Sequence, residues 1–73
     1  MKKIAVYEIS IAKKIKNYRD ANALSQRAFG KLLGVSAQAV CKWESGMCYP
    51  DITLLPALSS LLGCLIDDFF TQA

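Results

Sequence analysis

Between Ser36 and Ser45 the side chains divide by chemistry. Ala37, Gln38, Cys41, Lys42 and Ser45 are small or hydrogen-bonding, whereas Val40 and Trp43 are apolar. At helical spacing the two sets fall on opposite faces, because residues three and four apart share a face. The outer face can recognise by hydrogen bonding. The Gln38 amide carries a donor and an acceptor and can pair with adenine N6 and N7. Ala37 can touch a thymine methyl, and Lys42, one turn beyond Gln38, reaches a guanine edge or a phosphate. Such a surface fits the major groove of a nucleic acid. Trp43 could suggest stacking on a base, but it shares a stripe with Val40, which assigns it to the core.

Other chemistries find little support. The chain has no histidine, and it shows no nucleophile–base pair, metal-ligand set or phosphate loop, so an enzyme is not expected. Cys41, Cys48 and Cys64 are an odd number without a CxxC pair. They read as unligated thiols of a reducing cytosol, not as a disulfide framework or a zinc site, and no cofactor is implied. Cys41 has only Lys42 nearby to activate it and is read as an inert exposed thiol. Met1-Lys2-Lys3 resembles the start of a secretory signal, yet Glu8, Lys13, Lys14 and Lys16 follow before any apolar run develops. The run from Leu54 to Ile66 is interrupted by Pro56, Ser59, Ser60 and Gly63 and falls short of the ~20 residues that span a bilayer. The expectation is a soluble cytoplasmic protein with no membrane partner and no evident small-molecule ligand.

Charge is polarised along the chain. Up to Lys31 there are eight basic residues against Glu8 and Asp20, a net of +6; from Leu32 onward Lys42 stands against Glu44, Asp51, Asp67 and Asp68, a net of −3. A dipolar molecule of this kind presents one side to a polyanion, although most lysines of the first helix are read as a solvated face.

A chain of 73 residues makes one domain that buries about 60% of its unfolded surface. Five helices are expected to position the reading face. The first runs from about Ser10 to Asn22, burying Ile11, Ile15 and Tyr18; before it, Ile4 to Tyr7 can extend the helix, form an irregular arm or pair as a strand. The second has Ser25 as N-cap, a staple from Leu24 to Phe29, a buried face of Ala28, Phe29, Leu32 and Leu33, and Gly34 as its stop. The third repeats that grammar with Val35, Ser36, Val40 and Gly46, followed by a loop over 47–51. In the fourth, Thr53 as N-cap keeps Pro56 in the first turn, where no partner is lost. Leu54, Leu55, Leu58, Leu61 and Leu62 line its core side, and Gly63 ends it. A short fifth helix is expected over 66–71, with Asp67 and Asp68 near its N-terminus.

At this point the chain resembles a known family. From Ile11 to Phe70 it is similar to the Cro and lambda-repressor type of helix-turn-helix, also called the xenobiotic-response-element family. The matching residues are Ile11, Ile15, Tyr18 and Arg19; Leu24-Ser25-Gln26; Ala28; Leu33-Gly34-Val35-Ser36; Val40; Lys42-Trp43-Glu44; Gly46; Pro50-Asp51; Leu54-Leu55; and Leu61-Leu62-Gly63. The resemblance implies an all-α, compact five-helix DNA-binding domain over 10–73, behind an N-terminal extension over 1–9, in a bacterial or phage regulator. It implies base reading by Ala37, Gln38 and Lys42 and contacts to the DNA backbone from Gln26 and Ser45; Arg27, Ser36 and Cys41 are expected to add backbone contacts beside them. It also implies an ion pair between Arg19 and Glu44 that ties helix 1 to helix 3.

The chain departs from the family at two places. Ala23 stands where glycine usually closes helix 1, which leaves Asn22 to take the left-handed conformation. Arg27 and Ala28 stand where acidic residues are frequent, so helix 2 lacks a capping-box partner and gains a charge that phosphate favours. The expected function is a sequence-specific regulator of transcription, a repressor that binds double-stranded operator DNA as a homodimer through Leu65, Ile66, Phe69 and Phe70. The alternative is a protein-interaction module, such as an antitoxin, that uses the same apolar C-terminal end.

Overall fold

The computed structural model describes residues 7–72. Residues 1–6, which hold Lys2, Lys3 and most of the expected extension, lie outside the described residues, as does Ala73. The element order is β1 (Tyr7–Ile9), α1 (Ile11–Ala21), α2 (Gln26–Leu33), α3 (Ala37–Glu44), a 3-10 turn (Ile52–Leu54), α4 (Leu55–Leu62), a second 3-10 turn (Ile66–Phe69) and β2 (Phe70–Gln72). No described helix is long and apolar enough to cross a membrane.

The core is built from one or two side chains of each helix. Ile11 and Ile15 of α1, Phe29 of α2, Val40 and Trp43 of α3, Leu58 of α4 and Phe69 are buried, with Tyr18, Leu24, Leu33, Val35 and the remaining leucines of α4 packed around them. Tyr18 meets Phe29 edge to face, ring centroids 5.9 Å apart, the arrangement that aromatic quadrupoles favour. Leu32, expected in the buried face of α2, is instead 56% exposed. Phe29 and Leu33 already fill the space beneath an eight-residue helix, and Leu32 lies to the side of their stripe.

One hydrogen-bond pattern ends each described α-helix. The N–H of the second or third residue past the helix reaches back five residues, and the N–H before it reaches back three. Leu24→Arg19 (2.9 Å), Val35→Gly30 (2.9 Å), Met47→Lys42 (3.0 Å) and Cys64→Ser59 (3.0 Å) are the longer-reaching bonds. This motif requires φ > 0 at the turning residue. Glycine supplies it at three ends, but at the first Ala23 itself turns, with φ 52. Asn22 keeps φ −111 and does not adopt the left-handed conformation expected of it; its amide instead donates to the Tyr18 carbonyl at 2.8 Å. An alanine there carries a Cβ clash of roughly 1–2 kcal/mol, partly offset by the lower entropy of its unfolded state. Ala23→Gly should therefore stabilise the fold by roughly 0.5–1 kcal/mol, raising the melting temperature by a few degrees. A lower melting temperature by calorimetry would count against this strain.

Two further expectations need correction. Asp51, not Thr53, caps the fourth helical segment: its Oδ1 accepts from the Thr53 N–H and from Thr53 Oγ1, each at 3.0 Å. These two bonds hold the Asp51 carboxyl below the usual carboxylate range. The chain then makes a 3-10 turn before α4 begins at Leu55, so Pro56 falls in the first α-helical turn and removes no bond.

The fifth helix is a single 3-10 turn. The Asp68 carboxylate accepts from the Leu65 N–H at 2.9 Å, and the chain then extends as β2. Its partner is β1, antiparallel, with Tyr7 opposite Gln72, Glu8 opposite Thr71 and Ile9 opposite Phe70. The Ser10 N–H adds a bond to the Phe69 carbonyl at 2.7 Å. The described residues are thus mostly helical, with four α-helices and a small sheet, not all-α with five helices.

Candidate nucleic-acid interface

The candidate reading unit is α2, the turn at Gly34 and α3, and each helix start is fixed by a serine. Ser25 Oγ accepts from the Ala28 N–H at 3.0 Å and Ser36 Oγ from the Ala39 N–H at 3.2 Å, so each satisfies one orphan donor of a first turn. Leu24 and Val35, just before these serines, pack on the core beside Phe29 and Val40, which fixes the angle at which each helix enters.

Gly30 sets the spacing of the pair, and the sequence reading passed over it. A Cβ built there would stand 2.6 Å from the Val35 carbonyl oxygen and 3.3 Å from that of Ser36. The turn that starts α3 therefore rests directly on the α2 backbone. A glycine inside an otherwise apolar helical pattern is the signal that could have found it.

With that spacing, α3 turns Val40 and Trp43 into the core at 0% and 5% exposure. Gln38, Cys41, Lys42 and Ser45 are exposed on its outer side, with Ala37 half-buried. The Ser45 hydroxyl donates to the Lys42 carbonyl at 3.1 Å, which leaves its oxygen as an acceptor only. Beside the start of α3 lies a cleft of about 420 Å³ lined by Arg27, Lys31, Val35, Ser36, Ala37 and Gln38. It joins Ser36, Ala37, Gln38 and Arg27, all chosen from sequence, to Lys31, which was not. Arg27 and Lys31 are four apart and share a face of α2. That spacing was legible, but the charge count had absorbed Lys31 into a general basic half.

One carboxylate ties the helices together. Arg19 Nε donates to Glu44 Oε2 at 2.6 Å and Arg19 Nη2 to Glu44 Oε1 at 2.8 Å, while Arg19 Nη1 donates to the Leu24 carbonyl at 3.0 Å. The side chains are only 15% and 9% exposed. The fork from Arg19 holds the Glu44 carboxyl below its ordinary range and pushes the guanidinium further above its own. Gln26, the first residue of α2, joins the same group: its Nε2 donates to Glu44 Oε1 at 3.4 Å.

The C-terminal candidates separate. Leu65, Ile66 and Phe70 are exposed, but Phe69 is fully buried and is a core residue, not a surface one. That ring belongs to the same buried cluster as Ile11 and Leu58.

Comparison with known proteins agrees with this geometry. The family model described as Helix-turn-helix matches residues 15–69. Among solved structures, the chain is similar to the P22 c2 repressor protein in complex with synthetic operator 9T in the presence of Tl+. It shares 34% identity with that protein over 81% of this chain and 89% of that one, at a TM-score of 0.72. A transcriptional regulator from Listeria innocua superposes at a TM-score of 0.75 with 24% identity, covering 85% of this chain. Here the chain spans 58% of the other's length, and the likeness is one of fold. No curated protein matches the chain.

Proposed function

The chain belongs to the helix-turn-helix family of the Cro and lambda-repressor type, and from that premise we propose that it is a sequence-specific DNA-binding regulator of transcription. It acts as a repressor that occludes promoter DNA, reading the major groove with residues 36–45. The observation that carries this reading is the division of α3, with Gln38 and Lys42 exposed opposite a buried Val40 and Trp43. The solved structure of the similar P22 c2 repressor on its operator supports it.

In this reading Ala37, Gln38 and Lys42 meet base edges, while Gln26, Arg27, Ser36, Cys41 and Ser45 meet the backbone, joined by Lys31 along the cleft. Phosphate contacts set register and base contacts set sequence. Residues 10–73 form the DNA-binding domain, and of the expected extension over 1–9 the segment Tyr7–Ile9 joins it as a strand. One such module has a small footprint, so two copies bind half-sites about one helical turn, ~34 Å, apart on a palindromic operator. Leu65, Ile66 and Phe70, exposed beside the sheet, are the residues through which they meet.

Selection of bound duplexes from a random pool should enrich palindromic half-sites. A pool that never enriches would remove the DNA reading, and a single unrepeated site would remove the dimer. Gln38→Ala should weaken binding to the selected operator by about 1–2 kcal/mol and relax the preference at one base position. Equal loss on every sequence would show that Gln38 contacts only the backbone.

A further inference from the structure

We propose that Glu44 is a positioning residue that sets the orientation of the Gln26 amide, and that Arg19 acts on Gln26 through it. The inference rests on the DNA-binding reading, in which Gln26 meets a backbone phosphate. A glutamine amide has two nearly isosteric ends, one that only accepts and one that only donates. At the first position of α2 either end can face outward, and only the donor end suits a phosphate.

Glu44 removes the ambiguity. Its carboxylate can only accept, so it draws the amide nitrogen, and Nε2 lies 3.4 Å from Oε1. One N–H points at Glu44, and the other remains for a ligand beside the helix start. The carboxylate cannot swing away, because the Arg19 fork holds both of its oxygens, at 2.6 and 2.8 Å. Arg19 is itself anchored to the Leu24 carbonyl two residues before Gln26. The last residue of α3 thus governs which end of the first side chain of α2 faces the phosphate.

A double-mutant cycle on operator binding tests this, with Gln26→Ala, Glu44→Gln and the pair, each verified as folded by circular dichroism. With Gln26 present, Glu44→Gln should cost about three- to tenfold in affinity, the worth of one oriented hydrogen bond. With Gln26→Ala already made, Glu44→Gln should cost less than about twofold, since nothing is left to orient. Additive losses would overturn the proposal while leaving DNA binding intact, whereas a wild-type chain that binds no duplex would overturn both. A second measurement uses the unaltered protein without DNA. The side-chain amide signals of Gln26 should move by nuclear magnetic resonance as Glu44 takes up its proton in an acid titration. Signals that do not respond while the protein stays folded would also overturn it.

Discussion

Gly30→Ala is expected to destabilise the fold by about 2–3 kcal/mol, although alanine is the better helix former. Taken alone, helix propensity predicts a gain of up to ~1 kcal/mol. The added methyl would meet the Val35 carbonyl oxygen at 2.6 Å, and backbone cannot rotate aside as a side chain can. That carbonyl belongs to the turn that is pinned by the Val35 N–H to Gly30 carbonyl bond at 2.9 Å. Relief therefore requires α3 to move away from α2, opening the contact that seats Val40 and Trp43. Urea denaturation would measure the loss, and a variant as stable as the parent would mean the two helices are less tightly apposed. DNA binding should fall by more than the loss of folded protein accounts for, because the reading helix is displaced even in the molecules that fold.

A second large effect is expected at the ion pair. Arg19→Ala or Glu44→Ala should each cost about 2–3 kcal/mol, since either leaves a charge without a partner where water reaches poorly. The combined change Arg19→Met with Glu44→Leu should recover most of that loss, because replacing both charges by apolar groups removes the desolvation cost along with the attraction. Small equal effects in all three variants would show the pair to be solvated. The pH dependence has a definite sign. Glu44 is held below its ordinary range, so its contribution is complete above the unfolded glutamate value of about 4.3 and fades as pH falls through the folded value. Arg19, raised still higher, contributes throughout the range in which the protein is handled and fades only at extreme alkalinity. Stability should accordingly fall more steeply on acidification in the parent than in the apolar double variant, as acid titration followed by circular dichroism would show.

The central pair of helices was legible because its signals are local. A serine, a preceding apolar residue and a following glycine act within one turn, and the positions of Ser25, Gly34 and Ser36 needed no knowledge of the rest of the chain. Most departures arise where a distant partner decides. Residues 66–71 have a helical pattern of their own, yet β1 lies some sixty residues upstream and offers the backbone of Phe70–Gln72 a ladder instead. Thr53 and Asp51 were both sound caps, and the choice turned on a 3-10 turn that periodicity does not reveal. Ala23 was passed over because alanine rarely adopts φ > 0. Leu32 was counted inward because an apolar residue on a short helix has no mark of its facing. In the site, residue types and spacing identified the outward face of α3, whereas the nearness of Gly30 to Val35, the inclusion of Lys31 in the cleft and the link from Gln26 to Glu44 are facts of packing.

The pairing of Tyr7–Ile9 with Phe70–Gln72 turns the described chain into a nearly closed ring. The bond from Ser10 to Phe69 lies just inside that clasp, and closing so long a loop carries an entropic cost that grows only slowly with its length. Neither short strand has another sheet partner among the described residues. Cropping one end would therefore release the other, and Phe69 would lose the tether that keeps its ring seated, so damage at either extremity is felt at both.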